Sequence, residues 1–180
     1  MYKCKAIVID RKKILTGNKL KLFTDKLGKI ETYYKFNIKN INLDKLNLLN
    51  INITTYRNKF YLQNYIVENY FIKIRTNYIK TLIAMYLIEL IDKTIDFDFP
   101  EAKIFNMFVR FLNFLENEEI ETKIYNNLLK FINYYLVFLG YGNLFNINKD
   151  TDISFETILD MNKQIEQILN IQINSLKISL

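Results

Sequence analysis

The chain has 180 residues, of which 50% are hydrophobic and 24% charged, with one cysteine and no histidine. This composition excludes an internal disulfide, a structural zinc site of the usual Cys/His kind and histidine-based acid–base chemistry. The N-terminus lacks the pattern of a signal peptide. The most apolar run, residues 81–91, is 11 residues long, whereas a membrane-spanning helix needs about 20. We therefore expect a cytoplasmic protein that does not contact a membrane.

Positive charge is concentrated in the first part of the sequence. Residues 1–80 hold 17 Lys and Arg against 5 Asp and Glu, a net charge of +12, and residues 81–180 hold 8 against 14, a net charge of −6. Such asymmetry favours contact between the first part and a polyanion. Two solvated surfaces of unlike charge are the alternative interpretation.

Five strands are predicted before residue 70, because short runs of β-branched and aromatic residues alternate with polar ones between turn residues. The predicted strands are residues 3–10, 19–24, 30–36, 48–56 and 60–67. In the last of them, Phe60, Leu62 and Ile66 are predicted to share the apolar face. Five short antiparallel strands usually close into a barrel of the OB type, which removes their unpaired edges.

Helical spacing of apolar residues replaces the alternation from residue 77 onward. We predict helices over residues 77–94, from about Pro100, over residues 119–139 with Gly140 at the stop, and from the N-cap Ser154 to about residue 169. The predicted fold class is α+β with two domains: an OB-fold five-stranded β-barrel over residues 1–72 and an α-helical domain over residues 73–180.

Five short motifs follow one another along the chain: residues 5–9 (KAIVI), 20–30 (LKLFTDKLGKI), 86–92 (YLIELID), 136–141 (LVFLGY) and 174–180 (NSLKISL). In their order and spacing, these motifs resemble the RecO family of bacterial recombination mediators. Two departures from the family are visible. Residues 143–153 replace the four-cysteine zinc module of many members, and residues 33–39 are less basic and more aromatic than the corresponding family segment.

The resemblance implies a protein of DNA repair and recombination, and we expect it to be associated with the nucleoid. The residues themselves predict no enzymatic activity and no cofactor, since the sequence has no histidine and no glycine-rich phosphate-binding loop. It implies binding of single- and double-stranded DNA and annealing of complementary strands. It also implies RecR, the tail of single-stranded-DNA-binding protein and, indirectly, the recombinase RecA as partners. The alternative is a generic OB-fold nucleic-acid-binding adaptor with a helical protein-interaction domain.

Nucleic-acid binding is also predicted from the residues themselves, since Lys and Arg neutralise phosphates and neighbouring aromatic rings stack on unpaired bases. Tyr33, Tyr34 and Tyr61 are the candidate stacking residues, with packing in or on the barrel as the alternative for each. The candidate phosphate contacts are Lys5, Arg11, Lys12, Lys13, Lys19, Lys21, Lys29, Lys35, Arg57 and Lys59.

Two further sets of charges have candidate roles. By the resemblance, Arg110, Lys123 and Lys130 are candidates to receive the acidic tail of single-stranded-DNA-binding protein, and surface solvation is the alternative. Four acids near a helix junction offer oxygen ligands for Mg²⁺ and hence a weaker nuclease hypothesis; helix capping is the simpler explanation. These acids are Asp92, Asp96, Asp98 and Glu101.

Overall fold

The computed structural model describes residues 1–15, 17–34, 43–145 and 153–176. The strands are β1 (Tyr2–Ile14), β2 (Gly17–Thr24), β3 (Gly28–Tyr34), β4 (Leu48–Tyr56) and β5 (Lys59–Asn69). The helices are α1 (Ile72–Thr76), α2 (Tyr78–Thr94), α3 (Ala102–Asn117), α4 (Glu121–Phe138) and α5 (Phe155–Leu169). Among the described helices, none is both long and apolar enough to cross a membrane.

The five strands form a closed barrel in the order β1-β2-β3-β5-β4. Strands β3 and β5 pair in parallel, and the remaining neighbours pair antiparallel. The prediction of an OB-fold barrel followed by helices is therefore confirmed. Closure leaves no strand without a neighbour on each side, which is how a small sheet of this kind avoids unpaired edges.

The barrel is filled by the apolar side chains that alternation places inside. Leu20 and Leu22 of β2 and Leu49 and Ile51 of β4 are buried in one cluster. Their polar neighbours along the same strands point outward, because successive side chains of a strand lie on opposite faces.

The prediction that Phe60, Leu62 and Ile66 share the inward face of β5 is wrong for Ile66. Phe60 and Leu62 pack on the barrel interior, but Ile66 is 73% exposed, and Tyr65 and Val67 point inward in its place. The pairing Asn52↔Asn64 is followed by Ile53↔Leu62, so one extra residue of β5 is inserted there. A β-bulge of this kind reverses the facing of every residue on one side of it.

The helix termini follow the sequence signals closely. The Ser154 side chain accepts a hydrogen bond from the Thr157 backbone N–H and caps α5. Gly140 has φ +90° just after α4, and the Tyr141 N–H reaches back to the Leu136 carbonyl, which is a Schellman-type stop. Pro100 lies two residues before α3 rather than inside it, and the short helix α1 was not predicted.

Contacts divide the chain into two compact units. The barrel unit comprises Met1–Ile72 and Leu87–Asn106, and the helical unit comprises Lys73–Tyr86 and Met107–Leu180. The predicted division between residues 72 and 73 coincides with one boundary, but further boundaries lie within α2 and α3. The two-domain assignment over residues 1–72 and 73–180 stays a prediction.

The charge contrast along the sequence does not carry over to these units. The barrel unit holds 16 Lys and Arg against 10 Asp and Glu, a net charge of +6, while the helical unit holds 9 of each and is neutral. The difference has two equal causes: residues 87–106, with 2 Lys and Arg against 5 Asp and Glu, belong to the barrel unit, and the three cations of residues 73–80 belong to the helical unit. The helical unit is therefore neutral, unlike residues 81–180 with their net charge of −6.

Candidate nucleic-acid interface

A row of four side chains crosses the outer wall of the barrel at right angles to its strands. Lys12 of β1 is the register partner of Lys19 of β2, which is opposite Tyr33 of β3, which is opposite Tyr61 of β5. We call these four residues the transverse row. Neighbouring strands are about 4.8 Å apart, so the row spans about 14 Å.

The aromatic end of the transverse row is supported by neighbouring cations. The rings of Tyr33 and Tyr61 have centroids 5.9 Å apart and are tilted by 37°, and both side chains are partly exposed. The Lys59 ammonium lies 5.7 Å from the Tyr33 ring centroid. The guanidinium of Arg57 lies 5.1 Å from the ring of Tyr56, which is 60% exposed. Arg57 lies in the tight β4–β5 connection and Lys59 is the first residue of β5, so this end combines π faces with positive charge.

The cationic end of the row lies on the C-terminal part of β1, which pairs with β2. Lys12 and Lys13 are exposed, and among the described residues neither has an ion-pair partner. The Lys19 ammonium lies 2.6 Å from a carboxylate oxygen of Glu31. That hydrogen bond raises the pKa of Lys19 and offsets part of its charge. Lys12 and Lys13 are thus the cations of this end most available to a phosphate.

Lys5 and Arg11 are not members of the transverse row, although Arg11 precedes Lys12 on β1, and both have acidic partners. Lys5 pairs with Glu68 at 2.7 Å, and Arg11 lies 3.7 Å from Asp44. The Arg11 Nε also donates to the Asn18 side chain at 3.1 Å. These two candidates remain predictions, since exposed ion pairs of this kind open at little cost.

Lys21 and Lys29 meet the carboxylate of Asp92, a residue of α2 within the barrel unit. The Lys21 ammonium lies 2.9 Å and 3.0 Å from the two carboxylate oxygens, and Lys29 lies 3.5 Å from one of them. Lys29 is 4% exposed and also donates to the Asp92 backbone carbonyl. Burial lowers the pKa of Lys29, and the charge of Asp92 opposes that shift. A phosphate cannot reach Lys29 in this arrangement, so it is left out of the interface.

The remaining aromatic candidate of β3, Tyr34, does not join the row. Tyr34 packs against the apolar cluster inside the barrel and meets Tyr65 edge to face at 5.7 Å. Its ring is therefore not offered to a base. Lys35 lies outside the described residues.

The candidates for partner binding are all exposed in the helical unit. Arg110 lies on α3, and Lys123 and Lys130 lie seven residues apart on α4, which places them on one face of that helix. Lys123 has Glu118 at 3.8 Å. Two apolar side chains that were not predicted extend the same face toward the end of α4: Tyr134 and Val137 are 53% and 47% exposed. Their spacing from Lys130, at four and seven residues, was the available signal.

The acidic junction does not assemble a cation site. The described residues contain no group of three or more His, Cys, Asp or Glu side chains arranged to hold a metal ion. Asp92 faces two ammonium groups instead. Asp98 supports the barrel through its backbone, donating to the Lys29 carbonyl at 2.9 Å.

Comparison with known proteins adds no family assignment. Neither a protein-family model nor a curated protein matches the sequence at a significant level.

Proposed function

We propose that the protein binds single-stranded nucleic acid across the outer wall of its OB barrel. The observation that carries the proposal is the transverse row, in which two register-aligned lysines continue into two register-aligned tyrosines. Ligand binding on the β2–β3 face and the β1–β2 and β4–β5 loops is the common use of this fold, and fold alone does not establish it.

The chemistry of the row suits an unpaired strand. Partly exposed tyrosine rings offer faces to bases, and stacking of this kind contributes about 1–3 kcal/mol per base. The cations lie at both ends, Lys12 and Lys13 on β1 and Arg57 and Lys59 at the β4–β5 connection. A strand that crosses the row would therefore find phosphate contacts on either side of the stacked bases. Such contacts are independent of sequence and weaken with salt.

The fuller proposal is a RecO-like recombination mediator in DNA repair. Its support is the order of the five family-like motifs together with an OB barrel followed by helices. In this role the protein would also bind double-stranded DNA, anneal complementary strands and cooperate with RecR to help load RecA onto coated gaps.

The exposed face of α4 is the proposed receptor for the acidic, Phe-terminated tail of single-stranded-DNA-binding protein. Lys130 would pair with an acidic side chain or the terminal carboxylate of the tail, while Tyr134, Val137 and Phe138 would contact its apolar end. All four side chains are exposed on the last turns of α4, so the charge and the apolar surface lie together.

Annealing of complementary DNA strands tests the mediator proposal. We expect the protein to accelerate annealing of two labelled oligonucleotides, and to do so equally in EDTA. Acceleration lost in EDTA would indicate a metal-dependent activity instead. Binding of single strands without annealing would favour the generic adaptor.

Binding of a fluorescent tail peptide tests the partner surface. We expect Lys130→Glu to weaken peptide binding, because it reverses the charge beside the apolar side chains. Lys163→Glu is the matched control, since Lys163 is an exposed lysine of α5 in the same unit. Equal binding by both variants would remove α4 from the proposal.

A further inference from the structure

The two lysines on the outer face of β2 lie two residues apart but differ in availability. Lys19 belongs to the transverse row and has an exposed partner, Glu31. Lys21 lies about 7 Å further along the strand and donates to both carboxylate oxygens of Asp92, at 2.9 Å and 3.0 Å. The side chains of Lys21 and Asp92 are 27% and 26% exposed, so solvent screens this pair less than a surface pair.

We infer that Asp92 is a positioning residue that excludes a nucleic-acid strand from the Lys21 end of β2 and so directs it across the barrel. The inference rests on the proposed function. The carboxylate takes the place that a phosphate would occupy at Lys21, with the same charge sign and the same hydrogen-bond acceptors. A strand that followed β2 from Lys19 would have to displace it.

The position of Asp92 is fixed by its surroundings in the barrel unit. Its backbone carbonyl accepts from Lys29, and the Lys29 ammonium also lies 4.7 Å from the centroid of the Phe97 ring. Residue 97 forms a bridge with Lys29 parallel to β3. The carboxylate is thus held by a cation that is itself buried, rather than by a mobile surface side chain. It competes with phosphate at a high effective concentration because it belongs to the same chain.

Asp92→Asn tests the inference, since the amide keeps the size of the side chain and leaves the backbone carbonyl in place. Binding of an unstructured oligonucleotide is measured across a series of salt concentrations. We expect the dependence of log affinity on log salt to steepen by about 0.7, the value of one added phosphate contact on a single strand. Asp96→Asn is the matched control, because it removes the same charge from an exposed neighbour that has no hydrogen bond to Lys21.

A double variant assigns the added contact to a particular side chain. Lys21→Ala combined with Asp92→Asn is expected to return the slope to that of the unchanged protein. Lys21→Ala alone is expected to leave the slope unchanged, and this expectation holds even if Asp92→Asn does not fold.

The inference would be overturned if Asp92→Asn had the same slope of log affinity against log salt as the unchanged protein or as Asp96→Asn. A flatter slope for Lys21→Ala alone would overturn it as well. If the unchanged protein binds no single strand at low salt, the proposed function fails and the inference fails with it. Binding with an unaltered slope overturns the inference and leaves the proposed function standing.

Discussion

Tyr33 and Tyr61 are register partners across the parallel β3–β5 pair, and their ring centroids lie 5.9 Å apart. The parallel pairing brings together two tyrosines that are 28 positions apart in the sequence. The bases of a bound strand would contact these two rings.

Removal of either ring should weaken binding of single strands. We expect Tyr33→Ala or Tyr61→Ala to cost about 1–3 kcal/mol, or about 5- to 150-fold in affinity, and the corresponding Phe variants to keep most of the binding. Fluorescence anisotropy with a short oligonucleotide measures the effect. Tyr2→Ala is the control, because Tyr2 is an exposed tyrosine of β1 outside the transverse row. Equal losses for all three alanine variants would speak against stacking at the row.

Lys12 and Lys13 should contribute through charge and not through sequence recognition. We expect each alanine substitution to flatten the salt dependence of single-strand binding by about 0.7, for every sequence tested. Lys5→Ala serves as the comparison, since Lys5 is paired with Glu68 and lies outside the row. If Lys5→Ala flattened the salt dependence more than Lys12→Ala did, the interface would lie on another wall of the barrel.

Gly28 should be irreplaceable for stability, because two separate constraints act on it. Its φ is +70°, and a Cβ atom there would lie 2.0 Å from the Phe99 carbonyl oxygen. The left-handed backbone alone costs an L-residue about 1–2 kcal/mol, and the clash adds to it. Gly142→Ala is the matched control, with φ +79° and no atom near the added Cβ. Denaturant unfolding should show that Gly28→Ala lowers the free energy of unfolding more than Gly142→Ala does. Equal decreases in the two variants would contradict the close approach of the Phe99 carbonyl to Gly28.

Cys4 should be unreactive in the folded protein. It is 4% exposed, and burial, together with the nearby charge of Asp25, raises its pKa to about 11. The thiolate, which is the reactive form, is therefore scarce at neutral pH. We expect a thiol reagent to label Cys4 slowly until denaturant is added, and then at once. If the folded protein were labelled as fast as a free thiol, the burial of Cys4 in β1 would be contradicted.

Local patterns predicted much of the fold. Alternation in β2 and β4 identified their inward faces, and the signals at Ser154 and Gly140 marked helix termini, because each of these features depends on neighbouring residues. The bulge near residue 63 of β5 could not be predicted, since it depends on pairing with β4 and not on β5 itself. The short helix α1 could not be predicted either, because its five residues are too few to show the 3.6-residue spacing of apolar side chains.

The candidate site was predicted as a set of residues but not as an arrangement. The sequence grouped Lys12, Lys19, Tyr33 and Tyr61 with Lys21 and Lys29 because all lie in the basic first part of the chain. Pairing between distant strands selects the first four, and a carboxylate 71 positions beyond Lys21 removes it from the group. The same long-range contacts explain why the charge contrast along the sequence differs from that between the compact units.

Photo-crosslinking tests the central claim most directly. A single-stranded oligonucleotide carrying photoreactive pyrimidines is irradiated with the intact protein, and the crosslinked residues are located by mass spectrometry. We predict crosslinks at Tyr33 and Tyr61, with weaker ones at the β4–β5 connection around Tyr56. Crosslinks confined to the helical unit, or to the part of β1 around Lys3 and Lys5, would contradict a strand that crosses the barrel at the transverse row.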